Sequence, residues 1–300
     1  EGGFKNLEEA MITSMINSRI RHVLLLQEKS RARSKEGLFV TEGVRMFEEV
    51  PEEVLKEIYC SESFYLSLTE KKDDNPHRER VYQKLCRCGE LGIPVELVSG
   101  EVFRKISDTK TPQGILFVVK SGSCSLKEMI AQAEKKKQEQ GREPLFLILE
   151  DIQDPGNLGT MMRTAEGAGA DGVIMSKGTV DIYNPKTIRA TMGSLYRVPF
   201  VYMENLEEAV SLLKKSGITT YAAHLKGEKF FHQIRYSGGS AFLIGNEGNG
   251  LKTETAQLAD TYLKIPMEGK LESLNASVAA ALLLYQAAGS TGRFTLGQEK

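Results

Sequence analysis

The chain has 300 residues, of which 41% are hydrophobic and 26% charged, with a formal net charge of −1. This is a soluble globular composition with length for two domains, and no apolar run approaches the roughly 20 residues a membrane span needs. A charge so near zero excludes general attraction to nucleic acid, so any RNA site has to be a local patch and DNA is not an expected partner.

The polar N-terminus lacks a signal-peptide stretch, which makes the cytoplasm the expected compartment. Cys60, Cys86, Cys88 and Cys124 show no paired C-x-x-C spacing, so reduced thiols and no metal are expected.

In chain order, Ile16, Ile20, Val23, Leu24 and Leu26 predict a helix from Met11 to about Ser34. Within it and just beyond, Arg19, Arg21, Lys29, Arg31, Arg33 and Lys35 face one acid, Glu28. This basic cluster is either a solvated helix face or an RNA patch. Strands are predicted at Leu38–Val40, Leu55–Cys60, Val95–Val98 and Gly114–Val119, with a short helix after Glu42-Gly43 and another over His77–Leu91. They imply a small α/β domain over residues 1–120. Residues 121–143, glycine- and serine-rich and then lysine- and glutamine-rich, read as a partly helical linker.

From Leu145 the rhythm becomes regular. Strands are predicted at Leu145–Leu149, Val173–Met175, Val198–Tyr202, Thr219–Ala223, Ala241–Ile244 and Tyr262–Ile265. Helices start near Asn157 and span Thr187–Leu195, Leu206–Lys215 and Leu274 to about Ala288. Near-continuous apolar strands separated by helices mean a parallel sheet covered on both faces, over residues 144–300.

Three segments of this half put backbone-exposing residues beside polar side chains just past a strand, where ligands bind in open α/β sheets. The first is Asp154-Pro155-Gly156-Asn157-Leu158-Gly159, running on to Arg163; there Asn157 could simply cap the helix, and Arg163 lies near the same side. The second is Gly245-Asn246-Glu247-Gly248-Asn249-Gly250. Its glycine spacing is not that of a dinucleotide fingerprint and it comes too late in the chain, which disfavours a nucleotide-dependent oxidoreductase. The third is Ile265-Pro266-Met267, followed by Ser273-Leu274-Asn275-Ala276-Ser277.

Together these segments resemble the three signature motifs of the SpoU/TrmH branch of the SPOUT RNA methyltransferases. The resemblance implies a C-terminal α/β domain tied in a trefoil knot, S-adenosylmethionine as cofactor, and methyl transfer to a ribose 2′-hydroxyl of structured RNA. It implies catalytic roles for Arg163, Asn157, Glu247, Ser273 and Asn275, with Glu247 orienting Arg163. Ile265, Met267 and Leu274 would offer main-chain groups to the cofactor, with His224, Leu225, Gly245, Asn246 and Gly248 around it. It also implies a homodimer through the C-terminal domain.

Lys29-x-Arg31-x-Arg33, Leu38-Phe39-Val40, Glu42-Gly43 and Arg45 resemble the ribosomal-protein-like substrate-binding domain of the ribosomal-RNA members. That favours the RNA reading of the basic cluster and ribosomal RNA as substrate. A transfer-RNA enzyme of the same family, or a non-catalytic RNA-binding or ribosome-assembly protein keeping the fold, are the alternatives.

Overall fold

The computed structural model describes residues 11–69, 76–122 and 124–294. By contacts the chain forms two compact units. One is Glu1–Gly122 with Tyr183–Tyr196; the other is Ser123–Ile182 with Arg197–Lys300.

The first unit runs α1 (Ser18–Glu28), α2 (Ser30–Glu36), β1 (Leu38–Glu42), α3 (Val44–Glu49), β2 (Leu55–Ser61), α4 (Glu62–Thr69), α5 (Pro76–Glu90), β3 (Val95–Val98), α6 (Gly100–Ile106) and β4 (Ile115–Lys120). Its four strands lie in the order β1-β4-β2-β3, with only β2 and β3 parallel. The expected helix from Met11 to Ser34 is broken. Asn17 caps α1 by accepting from Arg19 N at 2.9 Å, and Lys29 turns extended before α2 begins. Upstream, Ile12 bridges to Val98 as an extra strand position. The core is built from Ile20, Val23 and Leu26 of α1 against Val40, Tyr59, Phe103 and Val118. Side chains of this size contribute about 1.5–3 kcal/mol each when fully buried.

The second unit begins with α7 (Leu126–Gln140), which overlies the stretch expected as a linker. Its capping box joins Ser125 and Glu128, and Leu126, Met129, Ile130 and Ala133 are buried against Phe146, Ile174 and Leu213. Helix α7 is therefore part of this unit's core. It is followed by β5 (Leu145–Leu149), α8 (Pro155–Gly167), β6 (Gly172–Ser176), α9 (Pro185–Thr191, in the segment that groups with the first unit), β7 (Phe200–Met203) and α10 (Leu206–Lys215). Then come β8 (Thr219–Ala223), β9 (Lys229–Phe230), β10 (Ser240–Ile244), α11 (Thr253–Gln257), β11 (Thr261–Lys264) and α12 (Ala276–Ser290).

The seven strands are all parallel, in the order β7-β6-β5-β10-β8-β11-β9. Strands β5, β6 and β10 are buried at every position, as continuous apolar strings covered on both faces must be. Strand β10 is inserted between β5 and β8. After β11 the chain doubles back, laying α12 on α8, β10 and β5. That return path brings the loops after β5, β10 and β11 to the same carboxyl end of the sheet. No helix among the described residues is long and apolar enough to cross a membrane.

Candidate active site

Helix α8 is capped by Asp154, not Asn157. The Asp154 Oδ1 accepts from Asn157 N at 2.8 Å and Pro155 occupies the first turn, where its missing N–H costs nothing. Asn157 sits one position short of a full turn inside the helix, and its side chain is free for tertiary bonding. Its Nδ2 donates to Glu247 Oε1 at 3.1 Å, and its Oδ1 accepts from Asn275 Nδ2 at 3.0 Å. The loops after β5, β10 and β11 are thus joined by one relay, Glu247–Asn157–Asn275.

Glu247 does more than meet Asn157. Its Oε2 accepts from Gln153 N and its Oε1 from Asp154 N, both at 3.0 Å. Burial raises its pKa, but the hydrogen bonds from Gln153, Asn157 and Asp154 outweigh that and hold the carboxyl below its ordinary value. The expectation that Glu247 orients Arg163 is not met. Arg163 is exposed on α8 and makes no hydrogen bond or ion pair among the described residues. Nor do the two residues of α8 share a side. At about 100° per residue, six positions turn Arg163 some 120° away from Asn157.

The β10 loop is shaped by Asn246 and Gly245, which the sequence singled out, and by Glu150, Asp151, Ser176, Lys252 and Thr255, which it did not. Asn246 Oδ1 accepts from Gly248 N and Asn249 N at 3.0 and 3.1 Å, an Asx-type turn. Its Nδ2 donates to Asp151 O at 2.8 Å. Asp151 adopts a left-handed φ of 53°, and its carboxylate takes Lys252 Nζ at 2.7 Å and Ser176 Oγ at 2.7 Å. Those two partners lower its pKa, Lys252 most. Beneath them the buried Glu150 accepts from Lys252 N at 2.8 Å and from Thr255 Oγ1. Gly245 is required by the loop itself. A Cβ there would lie 2.1 Å from Gly250 C and Leu251 N, where the chain returns. The sequence signal for this set was an acidic pair directly after an apolar strand.

Next to the relay is a cavity of about 320 Å³. Its walls are Ala223-His224-Leu225 after β8, Gly245–Leu251 after β10, Ile265 and Met267 after β11, and Ser273-Leu274 before α12. His224 Nδ1 accepts from Lys226 N at 3.1 Å and its ring tilts against Tyr262 at 5.0 Å, which fixes the imidazole in the cavity wall. Asn275 caps α12 through Oδ1, which accepts from Ser277 N at 2.9 Å and Ser277 Oγ at 2.6 Å. The sequence-expected residues of the three loops therefore come together, except that Arg163 stands apart from Glu247.

In the first unit the basic cluster divides. Arg33 is 6% exposed, and its Nη1 donates to Leu26 O at 2.7 Å and Gln27 O at 2.9 Å, the last carbonyls of α1. It is a helix-end support and not a surface for RNA. Arg19 is exposed but ion-paired with Glu96. Arg21, Lys29, Arg31, Lys35 and Arg45 are exposed with no ion pair among the described residues.

A parallel sheet whose carboxyl-end loops line a small-molecule cavity beside a polar relay is the arrangement of a ligand-binding α/β enzyme and agrees with the motifs' resemblance to the SPOUT methyltransferases. The SpoU rRNA methylase family model matches residues 144–285, and that of the MRM3-like substrate-binding domain matches residues 17–116. The 23S rRNA (guanosine(2553)-2′-O)-methyltransferase RlmP of Bacillus subtilis is 34% identical over 281 residues, covering 93% of this chain and 99% of that protein. The crystal structure of an rRNA methyltransferase from Sinorhizobium meliloti bound to S-adenosylmethionine superposes with a TM-score of 0.74 at 27% identity, covering 92% of this chain and 96% of that one. A crystal structure of an RNA 2′-O ribose methyltransferase does so at 0.72 and 27%, covering 93% and 98%. This chain belongs to the SpoU rRNA methylase family. It is an S-adenosylmethionine-dependent RNA 2′-O-methyltransferase.

The residues present fit that cofactor. The cavity is in the range of small-molecule sites, and its walls combine apolar side chains with the main chain of three loops, as a neutral adenine and ribose require.

Proposed function

We propose that this enzyme methylates a ribose in ribosomal RNA, with a guanosine of the large-subunit RNA as the target class to test first. The observation that carries the site assignment is the Glu247–Asn157–Asn275 relay beside the cavity. His224, Leu225, Gly245, Asn246, Gly248, Ile265, Met267 and Leu274 surround S-adenosylmethionine. Asn157, Arg163, Glu247, Ser273 and Asn275 form the reaction centre. When bound, the cofactor supplies a methyl group already activated by a positive sulfur. The protein's work is then alignment and exclusion of water, which can supply several kcal/mol.

Arg163 acts as a fixed cation. A guanidinium stays protonated and offers no lone pair, so it does not serve as a general base. It grips the RNA phosphate next to the target ribose, an oxygen of which takes the proton that the 2′-hydroxyl gives up as it accepts the methyl, or stabilises negative charge developing on the 2′-oxygen before the proton leaves. Its exposure, with no hydrogen bond or ion pair among the described residues, suits a group that waits for a polyanion. Asn157 is held on both sides, by Glu247 and Asn275, and is a fixed polar point of the reaction centre.

The substrate is bound by the first unit through Arg19, Arg21, Lys29, Arg31, Lys35 and Arg45. The match of residues 17–116 to a substrate-binding domain supports this. The enzyme works as a homodimer through its C-terminal unit, in the cytoplasm. Val278, Leu282 and Tyr285 support the dimer: at helical spacing they form an apolar stripe on α12, with Val278 47% and Tyr285 48% exposed.

The test is incubation with methyl-labelled S-adenosylmethionine and total unmodified RNA, followed by alkaline hydrolysis. A 2′-O-methyl group blocks cleavage at its own phosphodiester, so label is expected in alkali-resistant dinucleotides from ribosomal RNA. Label in mononucleotides would mean base methylation and sink the ribose assignment. Label confined to transfer RNA would sink the substrate.

A further inference from the structure

Beside the cofactor wall the parallel sheet ends in a two-residue strand. Lys229 of β9 lies opposite Leu263, and Phe230 opposite Lys264, one residue before the wall residue Ile265. A tight turn sets it there. Gly227 N donates to His224 O at 3.0 Å, and a Cβ at Gly227 would lie 2.6 Å from the carbonyl carbon of Leu263. Only glycine lets the turn lie so close on β11. On the far side, the buried Tyr236 donates its hydroxyl to Phe231 O at 2.9 Å, pinning the segment from below.

What this pinned segment presents to solvent is aromatic. Phe230 is 38% exposed, and its ring stacks on that of His232 at 5.8 Å, 9° from parallel. Phe231 meets the same imidazole edge-on at 5.4 Å. The surroundings are basic. Lys226, Lys229 and Arg235 are exposed and make no ion pair among the described residues, and Glu228 is the one acid between His224 and Arg235. None of Phe230, Phe231 and His232 lines the cofactor cavity. A sheet-edge plug would turn these rings inward; here a sterically fixed turn holds Phe230 and His232 outward among free cations.

We propose that Phe230 and His232 form a stacking platform for an unpaired base of the substrate RNA flanking the target nucleotide, with Lys229 and Arg235 holding its phosphates. This rests on the RNA methyltransferase function above and adds a substrate contact on the catalytic unit itself. Aromatic faces accept any unstacked base, and RNA is read chiefly where bases are splayed from the helix. The local positive charge selects a polyanion over an apolar protein surface.

The test uses the full chain and an unmodified ribosomal RNA that the wild type methylates. Phe230→Ala is expected to weaken RNA binding in a filter assay by roughly five- to a hundredfold, the range of one base–aromatic stack. S-adenosylmethionine affinity by calorimetry, and kcat at saturating RNA, are expected to stay within twofold. Phe230→Tyr, which keeps the π-face, restores RNA affinity. Lys229→Gln lowers the slope of log affinity against log salt by about one. Unchanged RNA affinity in Phe230→Ala overturns the platform, as does a joint loss of RNA and cofactor affinity, which would mark a structural part of the cavity. A wild type that binds the cofactor but transfers no methyl to any RNA would overturn the function itself, a result separable from failure of the platform alone.

Discussion

Asn275 donates its side-chain amide to Asn157 Oδ1 across 3.0 Å while its own Oδ1 caps α12. One residue thereby performs two separable tasks, ending the loop after β11 as a helix and fixing the residue at the start of α8. The two ends of the Asn275 amide divide these tasks between acceptor and donor.

That division makes Asn275→Asp informative. Aspartate keeps the capping oxygen and removes the donor, so the melting temperature is expected to change by no more than a degree or two while kcat/KM falls about tenfold, the worth of one hydrogen bond at about 1.4 kcal/mol. Asn275→Ala removes both and is expected to cost about 1 kcal/mol of stability in addition. Thermal melts and single-turnover rates on the two variants check it. Equal melting losses would show that the cap and the relay are not separable.

Arg163→Lys should lose most of its rate, roughly a hundredfold or more, at every pH between 6 and 10, because in the proposed role a compact ammonium cannot replace the planar, charge-spreading fork. Single-turnover methylation across that range is the measurement. Recovery toward the wild-type rate on raising the pH would instead identify a missing base.

Glu247 gives a pH prediction with a definite sign. Its folded pKa lies below the ordinary value of 4.5, so the ionised carboxylate stabilises the fold. That contribution is fully present above the unfolded value, declines as pH falls below about 4.5, and is gone beneath the lowered folded value. The melting-temperature gap between wild type and Glu247→Gln is therefore expected to be constant from pH 8 to pH 5 and to narrow below that. A gap that widens on acidification would reverse the assignment.

Arg33 and Arg31 should separate cleanly. Arg33→Ala removes two charged hydrogen bonds to the end of α1 and is expected to destabilise by roughly 1.5–3 kcal/mol. Arg31→Ala is expected to leave the melt unchanged and to reduce the salt dependence of RNA binding. Denaturant unfolding and salt-dependent RNA titrations would distinguish them.

Arg33 also shows where sequence reading stops. Six cations between positions 19 and 35 announce a basic surface, but charge alone does not say which guanidinium turns inward once the helix breaks at Lys29. The catalytic sheet was easier to read, because strings such as Leu145–Leu149 are apolar throughout, too short for a buried helix, and recur between helical segments. Helix α7 was read by its charged second half. The signal lay earlier, in Leu126, Met129, Ile130 and Ala133 at positions i, i+3, i+4 and i+7. The three site loops were legible by their motif residues. The partners of Glu247 were not, since Gln153 and Asp154 offer it backbone N–H groups, which any residue type carries.

The placement of β10 between β5 and β8 governs how the enzyme is made. During translation β5, β6 and β7 emerge first and can pair, leaving Leu145–Leu149 with an open edge until Ser240–Ile244 leaves the ribosome. Every side chain of that half-finished strand is destined for the interior, so the intermediate exposes a sticky, apolar template to other nascent chains. The two halves of the sheet join at its centre only when β10 arrives, and β11 and α12 complete it afterwards, so the architecture that brings three distant loops to one point depends on late, long-range pairing.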